Sequence, residues 1–73
     1  MAFSEPRKAQ ITDRAYIKYS RSFAQMGLKT QRFRAIDEQD GRVYIHPDDA
    51  QRGSGEPLSV RRDVVEFLEF FES

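Results

Sequence analysis

No cysteine or tryptophan occurs in this 73-residue chain, histidine occurs once, and twelve Lys and Arg residues are balanced by twelve Asp and Glu. Each absence closes a route. Without cysteine there is no disulfide to brace the fold, no thiolate nucleophile and no Cys-based zinc site, and one imidazole cannot complete a zinc site alone. The lack of any apolar run of ~18 residues excludes a membrane-spanning helix. The opening MAFSEPRKAQ lacks the apolar stretch of a signal peptide. Missing cysteine also suits a reducing compartment, so the expected location is cytoplasmic. No Gly-x-Ser-x-Gly elbow, phosphate loop or dinucleotide fingerprint is present. The expectation is therefore a non-enzymatic protein with no cofactor and no metal.

What is present is charge, and it is segregated. Residues 1–34 carry eight bases and two acids, a net +6, while residues 35–73 carry four bases and ten acids, a net −6. Such asymmetry marks either an interaction surface or two halves that neutralise each other when folded. The length admits one domain, whose small core typically supplies only ~3–5 kcal/mol of net stability.

The pattern predicts an α+β fold: a helix, a two-stranded antiparallel hairpin, a loop and a C-terminal helix around one small core. Residues 1–10, with Pro6 and no periodicity, read as a flexible N-terminal arm, leaving 11–73 as the domain. Thr12 is an N-cap for a helix over 13–26, with Ile11 and Tyr16 at the staple positions and Gly27 at the left-handed stop. Tyr16, Tyr19, Phe23 and Met26 recur at helical spacing as one apolar stripe. KTQRFRAI alternates as a strand, Asp40-Gly41 supplies a hairpin turn, and RVYIH returns until Pro47 ends it. Pro47-Asp48-Asp49 opens one short helical turn, and Gly53–Pro57 reads as a loop. A final helix is expected from Val60, with Val60, Val64, Phe67 and Phe71 on one stripe, although its terminal charges oppose the helix dipole. The expected core is Tyr19, Phe23, Phe33, Val43, Ile45, Val64, Phe67 and Phe71.

Candidate chemistry is confined to surfaces. His46 stands beside Asp48 and Asp49, a grouping that reads as a strand end meeting a helix start. Arg14, Lys18 and Arg21 recur at four and three, which places them on one helical stripe with Tyr16 and Tyr19 at its flanks. Arg32 and Arg34 form a second basic surface on the outer side of the first hairpin strand. Phe3, Arg7 and Lys8 in the arm, and Phe70 in the acidic aromatic tail, complete the candidate partner-binding set. Interleaved bases and aromatics suit a protein interface or nucleic acid. The lack of net positive charge argues against nucleic acid binding by the isolated domain.

The basic segment FSEPRKAQITDRAYIKYSR, the hairpin RFRAIDEQDGRVYIH and the acidic aromatic end together resemble the small RNA polymerase-binding regulators of lytic bacteriophages. That resemblance implies a non-enzymatic protein that binds the largest subunit of the host's bacterial RNA polymerase, and a monomer is expected. It implies weakened sigma-dependent promoter recognition and antitermination, exercised in the host cytoplasm. It carries over no binding residues. A small winged or excisionase-like DNA-binding protein and a small inhibitor of another bacterial enzyme are the alternatives.

Overall fold

The computed structural model describes residues 2–50 and 56–68. The one α-helix among these residues, α1 (Asp13–Met26), has the bounds and caps the sequence predicts. The Thr12 hydroxyl accepts from the Ala15 N–H at 3.3 Å. At the other end Gly27 adopts φ 106°, and the Leu28 and Gly27 amides donate to the Phe23 and Ala24 carbonyls. That pair of bonds is a Schellman ending, open to glycine because it has no Cβ to clash at positive φ.

Five strands accompany it among the described residues: β1 (Ala2–Ile11), β2 (Arg32–Gln39), β3 (Arg42–Ile45), β4 (Leu58–Arg61) and β5 (Val65–Phe67). All their pairings are antiparallel, in the order β4-β3-β2-β1-β5. β2 and β3 meet at Asp40 (φ 55°) and Gly41 (φ 76°), two consecutive left-handed residues of the kind that match the twist of a tight hairpin. Register shifts between Ala2 and Arg7 and between Ala35 and Asp37 bend the sheet into a half-barrel. A 3₁₀ turn, Arg62–Val64, carries the chain from one sheet edge to the other. It is fastened at both ends: the Arg62 N–H donates to the Gly41 carbonyl at 2.8 Å, and the Thr12 N–H donates to the Val64 carbonyl at 2.9 Å.

The core lies within this curl. Ile11, Val43 and Ile45 are fully buried, with Ala9, Phe33, Ala35, Leu58, Val60 and Val65 around them, and α1 adds Ala15 and Phe23. Tyr16 packs against the same cluster, its ring stacked on Phe23 at 6.4 Å between centroids.

The expected helix–hairpin–helix architecture is therefore corrected to a mostly antiparallel sheet with one helix. Val60, Val64 and Phe67 do approach the core, but from β4, the 3₁₀ turn and β5. Their spacing fits a helical stripe, yet Leu58–Arg61 runs buried, half-buried, buried, exposed, the period of a strand. Valines, stiff at χ1, favour that choice, and the unfavourable charge order of the alternative helix is no longer an obstacle.

The expected N-terminal arm is strand β1, paired with β2 on one side and β5 on the other. Pro6 is accommodated because it falls in the register shift, where no ladder donor is required. Of the predicted core, Phe23, Phe33, Val43 and Ile45 are buried and Val64 and Phe67 are half-buried, but Tyr19 is exposed. Phe71 lies outside the described residues. Among the described residues no helix is long and apolar enough to cross a membrane.

Candidate protein-binding surface

Helix α1 turns its predicted basic stripe to solvent: Arg14, Lys18 and Arg21 are all exposed. Among the described residues none of the three has an ion-pair partner. Lys18 places its ammonium over the Tyr19 ring, 5.3 Å from the centroid. Within the stripe stands Ile17, 80% exposed. Residues 14, 17, 18 and 21 follow the i, i+3, i+4, i+7 rule, so this isoleucine shares one helical face with three bases, with Asp13 one turn before it. The sequence reading missed it. The available signal was an apolar residue on the charged side of the helical wheel.

The same helix borders a groove of about 390 Å³. Phe23, Val60 and Val64 form its floor, and Tyr19, Ser22 and Met26 form the helical wall. Arg42 and Arg61, cross-strand partners on β3 and β4, stand opposite. Tyr19 has non-helical backbone angles (φ −121°, ψ 22°), and Tyr19 and Met26 remain 44% and 39% exposed. Arg42 is held by the Ser59 hydroxyl at 3.0 Å and the Ser59 carbonyl at 3.1 Å. None of these groove arginines was singled out from sequence, because only the β3–β4 ladder brings them to the helix.

The basic residues on the outer face of the sheet behave differently. Lys8 lies directly across from Arg34, and Gln10 from Arg32. Like charges opposite each other are unfavourable, and here Asp49 offsets them. Its carboxylate accepts from the Arg34 Nε at 3.0 Å, the Arg34 Nη2 at 3.2 Å and the Arg34 backbone N–H at 2.8 Å. The hydrogen bond from Arg34 holds the Asp49 carboxyl below the usual aspartate range, and the same pairing raises Arg34. The buried Gln10 donates to Glu66 at 2.7 Å and accepts a long 3.4 Å contact from Arg32.

His46 belongs to this arrangement as a structural piece. It precedes the 3₁₀ turn Pro47–Asp49, and its Nδ1 accepts from the Asp48 N–H at 3.1 Å while its backbone N–H donates to the Arg34 carbonyl at 2.8 Å.

Phe3 and Arg7 come together with residues from the far end of the chain. The Phe3 and Phe67 rings meet edge to face at 5.9 Å, and the Arg7 guanidinium lies 5.0 Å from one centroid and 4.4 Å from the other. Arg62 approaches Phe67 at 4.9 Å and pairs with Glu38 at 3.3 Å. This stack ties the start of β1 to β5. Phe70 lies outside the described residues. The structure thus divides the predicted set into a helical face (Arg14, Lys18, Arg21), a sheet face (Lys8, Arg32, Arg34) and a strand-end stack (Phe3, Arg7).

Neither a family model, nor a curated protein, nor a solved structure matches this chain.

Proposed function

We propose that this domain is a non-enzymatic regulator that acts by docking onto another protein through the outer face of α1. Ile17 carries the reading. An isoleucine left in water within a basic stripe adds nothing to the core, and beside three bases it offers a partner apolar contact area and charge on one face. Bacterial RNA polymerase is the partner, as the resemblance to phage regulators implies, with the largest subunit as the docking point. Occupying that surface opposes sigma-dependent promoter recognition and favours antitermination. The bases around Ile17 steer association towards an acidic patch.

The test is binding of the purified chain to core RNA polymerase and to its isolated largest subunit. Binding is expected, falling at least tenfold in the Arg14→Glu, Lys18→Glu double variant while the melt is unchanged. Binding indifferent to both reversals overturns the α1 reading. Tight binding to duplex DNA, weakening by about 0.9 decade per tenfold salt for each phosphate contacted, would replace it with the DNA-binding alternative.

A further inference from the structure

The groove between α1 and the β4 edge combines an apolar floor with a positive rim. Tyr19 and Met26, two of the three large apolar side chains left exposed among the described residues, both stand on its wall. The Arg42 guanidinium is held by neutral oxygens of Ser59, and no acid among the described residues pairs with it. Among the described residues the one acid paired to the rim is Asp63, 2.7 Å from Arg61, and both members of that pair are largely exposed. A surface pair of this kind contributes little and exchanges readily. Lys18, over Tyr19, supplies a third cation at the helical side.

We propose that this groove binds an acidic peptide segment bearing one or two large apolar side chains. The apolar groups fill the space between Met26, Tyr19 and Val60, and the flanking carboxylates reach Arg42, Arg61 and Lys18. The volume of about 390 Å³ accommodates such anchors. Basic or uncharged segments forgo the rim, and purely acidic ones forgo the floor. The proposal rests on the protein-docking reading of α1 but not on the identity of the partner.

The experiment titrates the isotopically labelled full chain with three nine-residue peptides, followed by amide chemical shifts. One alternates aspartate and leucine around a central phenylalanine, one has lysine in place of aspartate, and one has serine in place of the apolar residues. Saturable shifts are expected with the first alone, centred on Tyr19, Ser22, Met26, Arg42, Arg61 and Val64. Met26→Glu and Arg42→Glu should each weaken that binding at least tenfold with the remaining spectrum preserved, since both side chains are solvent-accessible. No saturable shift, shifts centred elsewhere, or equal binding of the lysine peptide would overturn the proposal. Peptide binding by a chain that does not bind polymerase supports the groove and removes only the polymerase assignment.

Discussion

Two basic surfaces share this small domain, and they are built on different terms. On the outer face of the sheet, Arg34 is clasped by Asp49 and Gln10 lies between Arg32 and Glu66, so acceptors from distant parts of the chain answer the cations. On α1, Arg14, Lys18 and Arg21 face water paired with no acid among the described residues, and Ile17 stands among them. The first arrangement is internally satisfied and holds the segment after β3 against β2. The second leaves charge and apolar area for something outside the chain. Net charge of zero therefore describes the sheet face better than the helix.

The largest expected effect tests what places the helical face at all. Phe23 is the main anchor of α1 in the core, 5% exposed and stacked with Tyr16. Phe23→Ala should cost ~3–5 kcal/mol, comparable with the whole stability of so small a domain. Urea denaturation should show the folded state largely lost. A cooperative transition near the wild-type midpoint would mean that the helix is held by something other than the half-barrel core.

The next effect separates the two surfaces by pH and mutation. Asp49 has a lowered folded-state pKa because Arg34 hydrogen-bonds its ionised form. Its contribution is therefore fully present above the ordinary aspartate value of 3.8 and is lost as pH falls through the lower folded value. Asp49→Asn should lower the urea midpoint at neutral pH by less than Phe23→Ala does. The gap between variant and wild type should narrow as the solution is acidified below pH 4. A gap that is constant with pH would show that the carboxylate's charge is not what holds Arg34.

Local signals and distant ones were not equally readable in the sequence. Thr12, the Phe23 anchor, Gly27 and the Asp40-Gly41 turn act within a few residues of themselves, and α1 and the β2–β3 turn follow from them. The three-residue β5 joins the edge of the ten-residue β1 by pairing Ala9 with Phe67 and Ile11 with Val65, residues from opposite ends of the chain. Nothing local announces such a partner. Val60, Val64 and Phe67 fit a 3.6-residue period by count, and only the sheet selects the other solution. The site divides in the same way. The basic stripe of α1 is a matter of helical spacing and was visible. The groove needs Arg42 and Val60 delivered by the β3–β4 ladder, so it was not.

The smallest effect on stability is the one that sharpens the contrast most. Ile17 is 80% exposed, so folding removes little of its surface from water, and transfer energy of about 25 cal/mol per Å² has almost no area on which to act. Lysine is at least as good a helix former as isoleucine. Ile17→Lys should therefore leave the thermal midpoint and the urea transition within the ±0.5 kcal/mol usual for surface changes. The same substitution adds a fourth positive charge to the stripe. If charge alone drives docking, polymerase binding should hold or strengthen in low salt. If the apolar centre drives it, binding should fall at least tenfold at every salt concentration despite the added charge. The second outcome is expected. Unchanged binding would reduce the face to a solvated basic stripe, and a large loss of stability would show that Ile17 belongs to the packing after all.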